Sequence, residues 1–391
     1  MAKSPTCGYI LVKFDSFDTK VFEQRLRDHL GSGVSLVYNY QGKIERRDFG
    51  PDGVKLSTLH YYHSGGWSDT RWIRWPAFLL VMMRELATVF IEHRFRVAYL
   101  AGADVLLWWT YLFKKMGRVE NITTTIEDWS LPAPGDGLFM RLNKLKIRWN
   151  DWIVERLDIR VLILNKEIHE ARNRHLGPSK NAICLPDQWT WFLEAKSLPR
   201  PAEKRKFILL LGTARPQFGL DLILSVLPRV HSELGVGLKI VGPNHELYES
   251  LLESAKTRNI DHLIHFRGFV ESEDLSQEIS DCFCGLNLQE NPINTSALAV
   301  AGRVIHYLQE FIVPVVTPHS GAVVPLIRKH SLGIVCEPFE QSVVEAIIRS
   351  KLEYDEFAMN IQRFFDQREK EVDLDKMFRS EMAVLESRQN S

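Results

Sequence analysis

Short apolar runs alternate with amphipathic stretches along most of the chain, the pattern of a parallel sheet with helices on both faces. In the second half the pattern is regular. Phe207 to Leu211 predicts a strand, Leu220 to Leu234 a helix, and Leu238 to Gly242 a second strand followed by another helix. Strands are expected again at Ile264 to Val270, Cys284 to Leu288, Val313 to Thr317 and Leu332 to Pro338, with a helix over Ala299 to Phe311. In the first half, strands are expected at Gly8 to Phe14, Val34 to Tyr40, Val54 to Tyr61, Val97 to Leu100, Asn121 to Ile126, Val161 to Leu164 and Ala182 to Leu185. Helices are expected between them at Thr19 to Leu30, Trp75 to Glu92, Asp104 to Met116 and Gly137 to Arg156.

The alternation breaks between Asp187 and Lys206. Pro186, Pro199, Arg200, Pro201 and the charged run Glu203-Lys-Arg-Lys206 predict an exposed linker. From Gln341 the chain becomes helical and charged, with helices expected at Val343 to Lys351, Tyr354 to Gln367 and Asp373 to Ser387. The expected organisation is an N-terminal Rossmann-like domain over 1–188, a linker over 189–206 and a second Rossmann-like domain over 207–366. The remaining 367–391 form a last helix that packs back on the first domain.

Composition adds limits. The 391 residues suffice for two domains, and 45% hydrophobic with 25% charged residues is the balance of a soluble globular protein. A formal net charge of zero gives no global field that would favour nucleic acid. The five cysteines are scattered, and Cys282-Phe-Cys284 is too tight for zinc, so reduced core thiols and no metal site are expected. The N-terminus lacks the apolar core of a signal peptide, and no run reaches the ~18 apolar residues of a spanning helix. A cytoplasmic protein is expected on these grounds.

Open parallel sheets bind ligands at the carboxyl ends of their strands, with phosphates at helix N-termini and glycine loops. The order of strand, Gly212-Thr-Ala-Arg-Pro-Gln-Phe-Gly219 loop, helix, strand, Gly242, Gly268-Phe-Val270, Asn294-Thr-Ser-Ala297 and Arg303-Val-Ile-His-Tyr-Leu308 resembles the donor-binding half of GT-B glycosyltransferases. The resemblance is nearest to the large retaining group called glycosyltransferase family 4. It implies two Rossmann-like domains facing a central cleft and transfer of a sugar from a nucleoside diphosphate donor, UDP- or GDP-linked, without a cofactor. The acceptor implied is a glycan, glycolipid or lipid-linked saccharide of surface polysaccharide assembly.

Site roles follow from the resemblance. Gly212, Arg215, Gly219 and Gly242 would line the donor loops, and Phe269 and Val270 would contact the base. Thr295 and Ser296 would cap a helix or contact phosphate. Arg303 would clamp the diphosphate, a surface arginine being the alternative. His306 would take the ribose and Glu290 would lie near the donor sugar. Two departures stand out. The glycine loop has Thr213 and Phe218 where the family carries Arg and Lys, and Leu298 replaces the second Glu of the family's Glu-x7-Glu pair. These favour a second reading, a catalytically degenerate GT-B protein that serves as a sugar-binding or scaffolding subunit.

The first half offers two loops for the acceptor. Tyr61-Tyr-His63-Ser-Gly-Gly-Trp-Ser-Asp69 combines rings and polar groups suited to sugars, or is a glycine turn with a packed Trp. Thr123-Thr-Thr-Ile-Glu-Asp128-Trp129 places an acid at a strand end, to orient an acceptor hydroxyl or to cap the next segment. Arg71-Trp-Ile-Arg-Trp75 and Phe139 to Trp149 mix basic and aromatic residues, which suits contact with an anionic membrane face. In the second stretch Leu142, Leu145, Trp149 and Trp152 recur at helical spacing, and a core-facing helix is the favoured expectation.

Overall fold

The structure, a computed structural model, describes residues 6–14, 19–38, 43–51, 53–60, 71–101, 104–126, 166–184, 197–212, 219–242, 245–270, 272–289 and 302–371, with 141, 145, 148, 149, 151, 152, 154–157, 159–163 and 195. It divides into two compact units, Met1–Gln188 and Trp189–Ser391. The expected final helix over 367–391 lies almost wholly outside the described residues. Among the described residues, no helix is long and apolar enough to cross a membrane.

The first unit is an eight-stranded sheet in the order β4-β3-β2-β1-β5-β6-β7-β8. Its strands are β1 (Thr6–Phe14), β2 (Gly33–Tyr38), β3 (Lys43–Gly50), β4 (Gly53–His60), β5 (Arg94–Ala101), β6 (Val119–Ile126), β7 (Arg160–Ile163) and β8 (Ala182–Cys184). Helices α1 (Thr19–Leu30), α2 (Arg71–Glu92), α3 (Asp104–Lys115) and α4 (Lys166–Leu176) connect them. Strands β1, β2 and β5 to β8 pair in parallel.

The strand expected at Val54 to Tyr61 is β4, and it departs from a buried parallel strand together with its unforeseen neighbour β3. They extend the sheet as an antiparallel ribbon beyond β2. Strand β3 was not expected because its sequence, Lys-Ile-Glu-Arg-Arg-Asp-Phe-Gly, is dominated by charge. Those charges pair along the strand and with helices α1 and α2, Arg47 with Glu45 and Glu23, and Arg46 with Asp48 and Glu92. As the edge strand, β4 has no sheet neighbour on its outer side, and Val54 and Leu56 are 52% and 60% exposed. Helix α4 was missed for a similar reason. Ile168 and Ala171 are its buried apolar side chains, and its anchor is a charge instead. Arg172, fully buried, donates three hydrogen bonds of 2.8, 2.9 and 3.0 Å to Asp151 and a further one to Glu155.

The second unit matches the expected strand-helix order closely. Strands β9 (Phe207–Leu211), β10 (Gly237–Val241), β11 (Ile264–Gly268), β12 (Cys282–Asn287), β13 (Val313–Val316) and β14 (Ile334–Val335) form one parallel sheet in the order β11-β10-β9-β12-β13-β14. Helices α5 (Leu220–Leu234), α6 (His245–Thr257), α7 (Ser272–Glu278), α8 (Gly302–Gln309), α9 (Val323–His330), α10 (Glu340–Leu352) and α11 (Tyr354–Glu371) cover it. Strands β9, β12 and β13 are almost entirely buried, which is why each reads as a continuous apolar run.

The linker reading needs one correction. Glu203, Lys204 and Lys206 are exposed, but Arg205 is buried, with 1% of its surface accessible. Its guanidinium donates to the backbone carbonyls of Cys282 and, at 3.2 Å, Glu310, and it lies 4.9 Å from the Tyr354 ring centroid. Lys351 on α10 in turn donates to the carbonyls of Ala202 and Arg205. The charged run is therefore stitched to the second sheet at the end opposite the carboxyl ends of its strands.

Candidate functional site

In the second sheet the chain leaves β9 toward β10 on one side, while β12 leads to β13 on the other. The seam between β9 and β12 is the topological switch point, the place at the carboxyl ends where open parallel sheets bind their ligands. Leu211 ends β9 and Asn287 ends β12. The described part of the candidate site is Gly212 after β9, Leu288 and Gln289 after β12, and the ends of β10, β11 and α8.

Three glycines expected at the donor loops are present for different physical reasons. Gly212 has φ +87°, and among the described residues a Cβ there would find only Arg303 Nη2 within 4 Å, at 3.8 Å. Its α-carbon is open on the side facing the guanidinium. Gly242 instead leaves room for its neighbour's backbone, since a Cβ would stand 2.1 Å from the Gly212 carbonyl oxygen. Its N–H donates to Gly268 at 2.8 Å, and Gly212 N–H donates to Val241 at 2.7 Å, so β9, β10 and β11 are pinned together at their ends. Gly219 is the left-handed N-cap of α5 at φ +71°, and a Cβ would meet the Leu288 carbonyl oxygen at 2.7 Å. That contact brings the loop after β9 against the chain leaving β12.

Helix α8 begins at the same edge. Arg303, in its first turn, places its guanidinium beside Gly212. One turn on, Tyr307 is buried under the seam. Its hydroxyl accepts the Leu211 N–H at 3.2 Å and donates to the Leu286 carbonyl at 3.1 Å, joining β9 to β12. Gly285 exists to admit that ring, because a Cβ there would come within 2.5 Å of it. Burial pushes the Tyr307 hydroxyl up to about 12, so it stays protonated and able to donate. His306 is half-buried on the same helix, between Arg303 and Tyr307.

Beyond β11, Gly268 has φ +66° and turns the chain so that Phe269 is 48% exposed and Val270 half-buried. Next to them Tyr248 of α6 stacks on Phe266, with ring centroids 3.9 Å apart. On the other flank, Thr317 Oγ1 donates to the Gln289 carbonyl and Ser320 Oγ to the Asn287 carbonyl, both at 2.7 Å. These two hydroxyls fix the path of the chain as it leaves β12. Sequence reasoning passed over them, although a Thr-Pro-His-Ser run directly after a strand is turn chemistry.

Seven expected donor-site residues are thus placed at the carboxyl ends of one sheet: Gly212, Gly219, Gly242, Phe269, Val270, Arg303 and His306. Arg215, Glu290, Thr295 and Ser296 lie outside the described residues, as do Asp128 and His63 of the first unit. The arrangement that is described can hold an anion. An open glycine and the guanidinium on the first described turn of α8 meet at the switch point, and an exposed ring stands at the end of β11.

Neither a protein-family model nor a curated protein sequence matches the chain. Solved structures do. An α,α-trehalose-phosphate synthase (UDP-forming) from Burkholderia vietnamiensis superimposes with a TM-score of 0.61 at 11% identity, over 98% of each chain. HepE from Anabaena in complex with UDP-glucose gives 0.60 at 11% identity, over 92% of this chain and 95% of that one. The catalytic domain of starch synthase IV from Arabidopsis thaliana, bound to ADP and acarbose, gives 0.56 at 11% identity, over 98% and 99%. These are GT-B proteins, and the chain has the GT-B fold.

Proposed function

We propose that the protein is a glycosyltransferase that takes its sugar from a nucleoside diphosphate donor held at the β9–β12 seam. The observation that carries this reading is the open α-carbon of Gly212 facing Arg303 at the head of α8. In it, the diphosphate lies between the Gly212 loop and the N-terminus of α8, and the base rests against Phe269 and Val270. Arg303 offsets the charge that builds on the departing diphosphate as the glycosidic bond breaks, the stage at which a fixed cation lowers the barrier. His306 hydrogen-bonds the ribose through a ring nitrogen. Transfer proceeds with retention, the leaving phosphate accepting the acceptor's proton. Glu290 then serves near the donor sugar, with Asp128 or His63 toward the acceptor hydroxyl.

The acceptor in this reading is a glycan or a lipid-linked saccharide. The lipid-linked case is supported by a stripe expected to face the core that instead lies at the surface. Leu145, Trp149 and Trp152 are 48%, 63% and 44% exposed, and the exposed Arg156 guanidinium sits 3.6 Å from the Trp152 ring centroid. Buried Asp151 holds this stretch to Arg172 from beneath, so its aromatics are left on the outside. Exposed rings beside arginine suit the interface of an anionic membrane.

The test is release of nucleoside diphosphate from UDP-, GDP- and ADP-sugars, with polyprenyl phosphate vesicles or oligosaccharides as acceptors. Turnover with one donor that collapses in Arg303→Ala supports the enzyme. The Leu298 and Thr213 departures favour the second reading, a sugar-binding scaffold subunit. Tight binding of a sugar nucleotide with no transfer or hydrolysis would select it.

A further inference from the structure

Asn287 is a buried amide that the fold leaves unsatisfied. It is the last residue of β12 and 1% exposed, and among the described residues neither Oδ1 nor Nδ2 has a hydrogen-bond partner. Its backbone is fully engaged. The carbonyl accepts from Ser320 Oγ at 2.7 Å and from Thr317 N–H at 3.4 Å, and the residue pairs with Val316 in the β12–β13 ladder. The side chain is therefore held in place while its polar atoms are idle. Burying an amide without partners is costly, and such a group in a native fold calls for a reason.

Its position supplies one. Gly285 pairs with Leu209, and the same register carried two residues on sets Asn287 opposite Leu211, next to open Gly212. Residues two apart on a strand share a face, and Gly285 faces the Tyr307 ring, so Asn287 points to the side covered by α8. Helix α8 runs back along the sheet. One turn before Tyr307, nearer the carboxyl ends of the strands, lies Arg303, within reach of Gly212. The idle amide thus belongs to the seam, on the side where the donor would end.

The chemistry of the missing partner follows from having both atoms unpaired. A phosphate offers acceptors only and would leave Oδ1 unsatisfied. A hydroxyl both donates and accepts, and two neighbouring hydroxyls satisfy both atoms of one amide. We propose that Asn287 is a specificity residue that reads hydroxyl groups of the transferred sugar, pairing with them through Oδ1 and Nδ2. The proposal rests on the donor reading given above and names what the sugar end of that site recognises.

The experiment compares the wild type with Asn287→Leu, which keeps the branched shape at a somewhat larger volume and removes the polar atoms. Titration calorimetry with UDP, UDP-glucose, GDP, GDP-mannose, ADP and ADP-glucose is paired with melting curves. The sugar nucleotide that the wild type prefers should bind Asn287→Leu about tenfold more weakly, the equivalent of one to two net hydrogen bonds. Its parent diphosphate should bind unchanged, and the ligand-free melting temperature should hold or rise, because an unsatisfied amide has gone. An equal loss for diphosphate and sugar nucleotide would assign the amide to ribose or phosphate and overturn the proposal. Unchanged binding of both would reduce Asn287 to a core residue. If Asn287→Leu melts far below the wild type, Asn287→Ser is measured as well, and a comparable fall there would make the amide structural. A wild type that binds none of the six would remove the donor reading and this proposal together, whereas wild-type binding with an indifferent Asn287→Leu removes this proposal alone.

Discussion

Tyr307 and Gly242 show how much of the site is held by atoms that never meet a ligand. The Tyr307 hydroxyl is the one side-chain group described as bonding both β9 and β12 at the seam. Tyr307→Phe keeps the ring and removes both bonds, leaving a buried N–H and carbonyl short of a partner at a cost of about 1–3 kcal/mol. The expected result is a melting temperature several degrees lower, read by calorimetry, with nucleotide affinity reduced because the Gly212 loop loses its anchor. Gly242→Ala is expected to be worse, since its Cβ would meet backbone oxygen that cannot swing aside. Little soluble protein should be recovered. Arg303 and the glycines were legible in the sequence because a motif order marks them. Tyr307 was not, because a tyrosine on an amphipathic helix reads as core. Its hydroxyl's partners stand 21 and 96 residues away in sequence. Asn287 was hidden by its setting, a polar residue at the end of an apolar strand.

At the scale of elements, apolar periodicity predicted what packing controls and missed what charge controls. Strand β9 and helices α1 and α5 have the expected bounds, each being an apolar run or stripe bounded by turn residues. Strand β3 and helix α4 were missed because ion pairs, not apolar contacts, fasten them. The surface placement of the Trp149 stretch was misread for the converse reason, as helical spacing of apolar residues does not say which side faces the core. The Arg172–Asp151 pair is the physical answer. Asp151→Ala would leave a buried guanidinium with Glu155 alone as its partner and is expected to destabilise the first unit by about 3 kcal/mol, seen as a lower denaturation midpoint. Trp149→Ser with Trp152→Ser touches only exposed rings. It should leave the midpoint nearly unchanged while reducing co-sedimentation with anionic vesicles, and undiminished co-sedimentation would detach this stripe from the membrane.

The whole molecule carries its thiols and phenols in a form that predicts its alkaline limit. Burial raises Cys284 and Cys336 from 9.0 to about 12, and Tyr307 and Tyr354 from 10.0 to about 12. Each group keeps its proton in the folded state after the unfolded chain has lost it. Stability from these groups is therefore full below about pH 9 and declines as pH rises from there toward 12. Denaturation midpoints measured from pH 7 to 11 should fall above pH 9 and stay level below it. At pH 8, alkylation should reach the half-buried Cys7 and Cys184 well before Cys282, Cys284 and Cys336, which are buried. The GT-B fold itself was legible from the order of strands and glycine loops, since the second unit's sheet is built from apolar runs that leave little choice of topology. Specificity was not, because it rests on single groups such as the Asn287 amide.

The central claim is a nucleotide site at the β9–β12 seam, and ligand-induced thermal stabilisation tests it most directly. A ligand at a hundredfold excess over its Kd stabilises the folded state by about 2.7 kcal/mol. One nucleoside diphosphate among UDP, GDP and ADP is expected to raise the wild-type melting temperature clearly. Arg303→Ala is expected to stay folded when ligand-free and to lose most of that rise. No rise with any of the three, or a full rise retained in Arg303→Ala, would contradict the account.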